Sequence, residues 1–164
     1  HKYTKMDATQ TKLEGLLLEY GSSHQNALNK FIHWICVPAI MFSLVGILMS
    51  APVLWGAKTW YNNLGAIVLF IALFYYWNLS KPLTIYFVFI SLALLFGNWK
   101  LFGWLGWNTQ HLFYYSIGIF VVAWIGQFIG HKIEGKKPSF IKDLQFLLIG
   151  PAWLLSFIVN RKGL

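Results

Sequence analysis

The sequence predicts an all-α integral membrane protein: a helical bundle of four transmembrane helices, an N-terminal amphipathic helix and a short C-terminal re-entrant or interfacial helix. Hydrophobic residues make up 57% of the 164 residues and charged residues only 11%, against about 25% charged residues in an average globular domain. Too few charges are available to cover a soluble domain of this size, and the apolar content excludes a disordered chain. The nine Trp, eight Tyr and fourteen Phe are typical of aromatic belts at a bilayer interface.

The whole chain, residues 1–164, is expected to be a single membrane domain. We expect the native start at Met6, so residues 1–5 are treated as a non-native remnant and their histidine is left out of the functional argument. Residues 7–31 are expected to form helices at the cytoplasmic surface, and residues 32–159 to form the membrane bundle.

The N-terminal segment predicts two helices separated by a break. Apolar residues in Asp7–Tyr20 recur at the spacing of an amphipathic helix, with charged residues between them. The sequence Gly21-Ser22-Ser23 is typical of a helix stop followed by an N-cap. A second helix is therefore expected to begin near His24 and to continue through Asn26 into the first apolar segment.

Five apolar segments follow, and the first four are expected to cross the membrane. A span needs about 20 apolar residues, with a range of about 17–25. The first and fourth segments meet this requirement, whereas the second and third need flanking aromatic residues to reach it. The fifth is short and interrupted by Gly150-Pro151, so it is expected to be re-entrant or interfacial. The five segments are Ile32–Trp55, Leu64–Trp77, Pro82–Gly97, His111–Gly130 and Leu144–Val159.

Basic residues are unevenly distributed between the two sides of this predicted bundle. With four crossings, one side holds only Lys58 and Lys100, and the other holds the remaining eleven of the thirteen basic residues if the fifth segment does not cross. The positive-inside rule therefore predicts that the N-terminus and the segment after Gly130 face the cytoplasm. The host membrane is a bacterial inner membrane or the endoplasmic reticulum. The net charge is +8, but the basic residues lie between apolar segments and do not form a solvated basic face. Nucleic acid is therefore not an expected partner.

Three histidines are expected to meet at the cytoplasmic face. His24 and His33 precede or open the first span, and His131 follows the fourth. His111 lies about 30 Å from His131 along one helix, at the opposite face. With Glu134, three residues after His131 on the same helix face, the three histidines suit a mononuclear metal site. Because His24 and His33 lie about 180° apart around a continuous helix, a second interpretation stays open, in which they form only interfacial hydrogen bonds.

Two segments of the chain resemble the motifs of a known family. The fungal 2-hydroxypalmitic acid dioxygenase family, a group of small membrane proteins, has a first motif similar to Tyr20–Pro38 (YGSSHQNALNKFIHWICVP). Its second motif is similar to Trp124–Pro138 (WIGQFIGHKIEGKKP), and its end is similar to Gly150-Pro151. The resemblance implies an Fe(II)-dependent dioxygenase that shortens 2-hydroxy fatty acids by one carbon, with Fe(2+) as the cofactor and O2 as the second substrate.

The resemblance also implies roles for individual residues. His24, His33 and His131 are the implied metal ligands, and with Glu134 they are the implied catalytic residues. Glu134 is either a fourth ligand or a residue that orients His131. The other polar residues of the two motifs are candidates for substrate binding or for orienting the ligands: Asn26, Asn29, Gln127 and Lys132.

The implied reaction balances without an added reductant. Converting R-CHOH-COOH to R-COOH, CO2 and water consumes one O2. The 2-hydroxyl and carboxylate of the substrate can occupy two positions on the metal beside three protein ligands, which leaves a position for O2. The acyl chain is expected to lie between the spans, near Phe42 and Phe128. Membrane lipid is the other expected partner, and the sequence does not predict the oligomeric state.

Two functions of other classes stay open beside this one. A non-catalytic lipid-binding or scaffold protein of the bilayer would bind lipid without metal. A zinc-dependent membrane hydrolase would use three histidines and a carboxylate to hold zinc and activate water. A di-iron hydroxylase or desaturase is disfavoured, because such enzymes use several clusters of histidines and this chain has too few.

Overall fold

A computed structural model describes residues 25–135 and five residues outside this range: Glu14, Gly15, Leu17, Leu18 and Pro151. Within these residues the structure is helical, with no strand, in agreement with the predicted all-α class. The four helices between residues 25 and 135 are α1 (Ala27–Ser50), α2 (Leu64–Leu79), α3 (Lys81–Trp104) and α4 (Thr109–Ile133).

Three of these helices are long and apolar enough to cross a membrane, namely α1, α3 and α4. Each has 24 or 25 residues, which gives a length of about 36 Å at about 1.5 Å per residue, against a hydrocarbon core of about 30 Å. These helices indicate a helical membrane protein. Because α2 has only 16 residues, four crossings stay a prediction.

The two predicted flanking helices lie mostly outside the described residues. Of the N-terminal amphipathic segment, the four described residues are helical, and Leu17 packs against the buried core of the bundle. Of the predicted C-terminal segment Leu144–Val159, only Pro151 is described. His24 also lies outside the described part, and the predicted domain boundaries stay predictions.

The first helix begins later than the sequence predicted. The expected start was near His24 with Asn26 inside the helix, but α1 begins at Ala27 and Asn26 is its N-cap. The Oδ1 atom of Asn26 accepts hydrogen bonds from the backbone N–H groups of Leu28 at 2.9 Å and Asn29 at 3.4 Å. Asparagine is among the strongest N-capping residues, and here it sets the start of the helix in place of the serines upstream.

The other end of α1 also differs from the predicted segment, which extended to Trp55. The helix ends at Ser50, because Ala51 is extended, with φ −70° and ψ 156°, as expected for a residue that precedes a proline. At the far end of the following loop, Asn63 is buried and its side chain caps α2 by accepting from the N–H of Ala66 at 2.9 Å.

A single residue connects α2 and α3. Ser80 is the C-cap of α2 and the N-cap of α3, and the next helix opens with a proline at its second position, where the missing N–H group is tolerated. The two helices pack on each other through an apolar core of leucines and aromatic residues. In this core the rings of Tyr76 and Phe87 stack with their centroids 4.0 Å apart.

The most extensive helix pair is formed by α1 and α4, which run antiparallel. His33, near the start of α1, lies beside His131, near the end of α4. Gly46, near the end of α1, lies beside Ser116 in the first half of α4. Small residues at such contacts allow close approach of membrane helices. We call this contact the α1–α4 seam, and the candidate site lies at one end of it.

Candidate active site

His33 is buried in α1, and its ring is held by the backbone of its own helix. Its exposed fraction is 1%, and its Nδ1 atom lies 2.9 Å from the carbonyl oxygen of Asn29, one turn earlier. When Nδ1 donates this hydrogen bond, Nε2 carries the lone pair that a metal ion requires. The local structure therefore sets both the orientation and a suitable tautomer of His33.

His131 lies beside His33 although the two are far apart in sequence. Their ring centroids are 5.8 Å apart and the rings are nearly perpendicular, at 88°. Metal–nitrogen bonds to histidine are about 2.1 Å long, so rings at this separation are close enough to reach one ion. The structure thus brings together two of the three histidines that the sequence predicted to meet.

Gly130 allows the two helices to approach at this point. A Cβ atom at Gly130 would collide with Asn29 Oδ1 and would lie 3.3 Å from Cε1 of His33. Even the smallest side chain here would require Asn29 or the His33 ring to move. The sequence argument did not give Gly130 a role, although a glycine directly before a motif histidine was the available signal.

Two of the predicted polar candidates are buried near these rings. Asn29 is fully buried and lies against Gly130, and Gln127 is 6% exposed and one turn before His131 on α4. Within the described part of the chain, the Oε1 atom of Gln127 is buried and has no hydrogen-bond partner. An unpaired buried polar atom costs about 1–3 kcal/mol, so this oxygen is suited to pair with a bound ligand.

Trp124 provides a second buried group of this kind that sequence reasoning missed. Its Nε1 donor is buried and has no acceptor among the described residues, and its side chain is 8% exposed. The spacing of three residues between Trp124 and Gln127 places both on one face of α4. That spacing within the second motif was the signal that could have identified it.

Glu134 joins the end of α4 to the start of α1. Its Oε1 atom accepts a hydrogen bond from the backbone N–H of Asn26. This bond holds the end of α4, which carries His131, against the start of α1, which carries His33, and so favours an orienting role for Glu134. The Oδ1 atom of Asn26 is engaged in the N-cap, and a substrate contact by Asn26 stays a prediction.

The two remaining polar residues lie at the surface. Lys132 is exposed at the end of α4, where its ammonium group can attract an anion approaching that end of the bundle. His111 is exposed in the first turn of α4, about 30 Å along the helix from His131. This position at the opposite end of α4 agrees with the exclusion of His111 from the predicted site, and it makes His111 a suitable control for substitutions of His33 and His131.

The described residues supply part of a metal site. Among them, no group of three or more His, Cys, Asp or Glu side chains is placed to hold a metal ion. His33 and His131 provide two imidazole ligands in this part of the chain, and the third expected ligand, His24, lies outside it.

Comparison with known proteins points to one family. A family model described as 2-hydroxy-palmitic acid dioxygenase Mpo1-like matches residues 10–162. The 2-hydroxy-palmitic acid dioxygenase MPO1 of Saccharomyces cerevisiae is 28% identical over 147 residues, which cover 88% of this chain and 78% of the yeast protein. No solved structure matches this chain.

Proposed function

This chain belongs to the Mpo1-like family of 2-hydroxy-palmitic acid dioxygenases, and on that premise we propose that it is an Fe(II)-dependent membrane dioxygenase that shortens 2-hydroxy fatty acids by one carbon. The observation that carries the proposal is the pairing of His33 with His131. A buried imidazole, oriented by a backbone carbonyl and beside a second imidazole, is typical of a metal ligand rather than of an interfacial hydrogen-bonding residue.

The donor groups fit iron. His33 and His131 would hold the ion, with His24 as the third expected ligand, and imidazole ligands suit Fe(II). Bound Fe(II) would supply the positions for the 2-hydroxyl and carboxylate of the substrate and for O2. Asn26 lies two residues after His24 in the sequence, and its backbone N–H donates to Glu134 at this end of the bundle. This nearness in sequence supports including His24 among the ligands.

Gln127 is suited to recognise the 2-hydroxyl group. Its Oε1 atom accepts a hydrogen bond from that hydroxyl, and the pairing removes the cost of an unsatisfied buried oxygen. A fatty acid without the hydroxyl leaves Oε1 unpaired, at a cost of about 1–3 kcal/mol. The Nε1–H group of Trp124, on the same helix face, is placed to donate to a substrate oxygen.

The surroundings of the site favour a substrate taken directly from the membrane. The helices that carry His33 and His131 are apolar and long enough to span a bilayer, so an acyl chain can stay in a lipid-like environment while its head group reaches the histidines. Lys132 lies exposed beside this end and would attract the substrate carboxylate or anionic lipid headgroups. The positive-inside rule supports placing this end at the cytoplasmic face.

The direct test is reconstitution of the purified protein. Protein loaded anaerobically with Fe(II) and given 2-hydroxypalmitate and O2 is expected to form pentadecanoate and CO2 in amounts equal to the O2 consumed. If the iron-loaded protein consumes no O2 and makes no shortened acid, the proposal is wrong. Zinc with hydrolase activity would support the hydrolase alternative, and bound lipid without any metal would support the scaffold alternative.

Histidine variants test the site itself. His33→Ala and His131→Ala are expected to lose both bound iron and turnover, because each removes an imidazole that the proposal assigns to the metal. His111→Ala is the matched control, since it removes an exposed imidazole at the opposite end of α4, and it is expected to retain both. Full activity and iron content in His131→Ala would remove this residue from the site.

A further inference from the structure

An apolar groove lies between α1 and α4 and is open along one side. Its volume is about 600 Å³, within the range of about 300–1,000 Å³ that is usual for small-ligand pockets. One end is formed by Cys36, Ala39 and Ala123, and the groove continues along α4 past Gly118 to the rings of Tyr114 and Tyr115. The lining is almost wholly apolar.

The groove begins about one helical turn from the candidate site. Cys36 follows His33 by three residues on α1, which corresponds to about 4.5 Å along the helix. Ala123 precedes Gln127 by four residues on α4, which corresponds to about 6 Å. From Ala123 to Tyr114 the groove then leads away from the site for about 14 Å.

We propose that this groove holds the alkyl chain of the 2-hydroxy fatty acid and that Gly118 determines which chain lengths are accepted. The inference rests on the proposed function, which places the hydroxyl and carboxylate at His33 and His131. An alkyl chain is the occupant that fits, because the groove begins about one helical turn from the end where the head group binds and offers almost no polar atom to a ligand.

Gly118 differs from the other glycines that α4 contributes near the site. A Cβ atom at Gly126 would lie 2.5 Å from the Sγ atom of Cys36, and one at Gly130 would collide with Asn29. At Gly118 a Cβ atom would meet nothing within 4 Å, so no helix between residues 25 and 135 requires a glycine there. A glycine inside a helix is less stable than an alanine, and at this position the glycine leaves open space in the groove.

The groove is not where the sequence placed the acyl chain. Phe42 and Phe128, expected near the chain, are absent from its lining. Phe42 packs instead against Gly97 of α3, where a Cβ atom would lie 3.0 Å from its ring. Phe128 is 40% exposed, and its ring centroid lies 5.9 Å from that of Trp124.

Selection of chain length in such a groove would depend on how well the alkyl chain fits the shape of the groove rather than on the hydrophobic effect. An alkyl chain that enters from the bilayer leaves an environment as apolar as the groove, so there is little hydrophobic driving force. Discrimination then comes from van der Waals contacts and from side chains that block the path. Gly118 lies about 14 Å from Gln127 along α4, so a short chain ends before it and a palmitoyl-length chain passes it.

The first experiment compares Gly118→Phe with a matched variant, Val121→Phe. Val121 is on the same helix and 50% exposed, and it is not part of the groove lining. In Gly118→Phe, kcat/KM for 2-hydroxypalmitate is expected to fall by about tenfold or more, because the ring occupies the path of the alkyl chain. The value for 2-hydroxyoctanoate is expected to stay unchanged, and Val121→Phe is expected to change neither.

The second experiment detects binding without turnover. A 2-hydroxy fatty acid with a diazirine in the middle of its chain is photolysed with the protein in lipid nanodiscs, and the labelled peptide is identified by mass spectrometry. Label is expected on residues 114–123 of α4 or 35–39 of α1. An excess of 2-hydroxypalmitate is expected to suppress it, whereas palmitate suppresses it much less.

The outcomes separate this inference from the proposed function. An unchanged chain-length preference in Gly118→Phe, or label outside the groove, overturns the groove assignment while leaving the enzyme function intact. Equal suppression by palmitate would mean that the groove takes any lipid chain, and it also overturns the assignment. If the protein oxidises no 2-hydroxy acid, the proposed function fails, and the labelling result alone then supports or overturns the groove.

Discussion

The α1–α4 seam buries polar side chains at two levels, and the two levels differ in what those side chains can bind. At one end, His33 and His131 lie together beside buried amide side chains; we call this the histidine end. About 20 Å farther along α1, Gly46 lies against Ser116 Oγ and Asn98 Oδ1; we call this the Gly46 junction.

The Gly46 junction connects three helices through neutral groups alone. The Nδ2 group of Asn98 donates to the carbonyl oxygens of Phe42 at 3.0 Å and Leu94 at 2.9 Å. Its Oδ1 atom and Ser116 Oγ have no partner among the described residues, yet no imidazole or carboxylate stands beside them there. Buried polarity therefore does not define a functional site in this bundle. Paired imidazoles, charged groups at the helix ends and a nearby apolar groove distinguish the histidine end.

The largest expected effect comes from breaking the histidine end with Gly130→Ala. The added methyl group collides with Asn29 Oδ1 and crowds the His33 ring, so Asn29 or His33 must move, and we expect the His33 ring to shift relative to His131. We expect bound iron and kcat/KM to fall by at least about tenfold, since a misplacement cost above about 1.4 kcal/mol is enough. Iron analysis and turnover of 2-hydroxypalmitate measure this, and unchanged iron content would contradict the assigned geometry.

The equivalent change at the other level, Gly46→Ala, is expected to affect only stability. Its methyl group meets Ser116 Oγ and lies 2.7 Å from Asn98 Oδ1, and overpacking of this kind costs about 1–3 kcal/mol. Thermal unfolding in detergent is expected to shift to lower temperature, while iron content and turnover per folded molecule stay at the wild-type level. A loss of iron in folded Gly46→Ala protein would show that the two levels are coupled.

The smallest effect on the folded structure is expected for Gln127→Met, which separates a ligand-binding oxygen from a structural one. Methionine keeps the length of the side chain but removes the unpaired Oε1 acceptor. Preference for 2-hydroxypalmitate over palmitate in a binding assay is expected to fall by about tenfold, because about 1.4 kcal/mol of hydrogen bonding is lost. Stability is expected to be unchanged or higher. An unchanged preference would assign recognition of the hydroxyl to another group.

The sequence predicted most helices well, and its errors have local causes. The predicted third span ended at Gly97, but α3 continues to Trp104. A glycine is a weak stop signal inside a membrane helix, and here the ring of Phe42 packs against it. At the start of α1, the sequence prediction placed the cap in the serines before His24, but Asn26 caps the helix; both residue types are favoured N-caps.

The pairing of His33 with His131 could be predicted because the four crossings expected from the sequence return the chain to the same face. The roles of Gly130 and Trp124 and the position of the groove could not. These depend on which faces of α1 and α4 meet, and helices that are apolar on nearly every side carry little periodicity to reveal it.

The position of the two histidines on α1 and α4 has a consequence for the stability of the bundle. An ion held by both His33 and His131 would act as a cross-link that encloses α2, α3 and their connections in one loop. Because the unfolded chain does not present the two imidazoles together, the binding free energy of the ion would add to the stability of the folded bundle. The two histidines would then also hold α1 and α4 together, and the bundle would be most stable when the catalytic iron is bound.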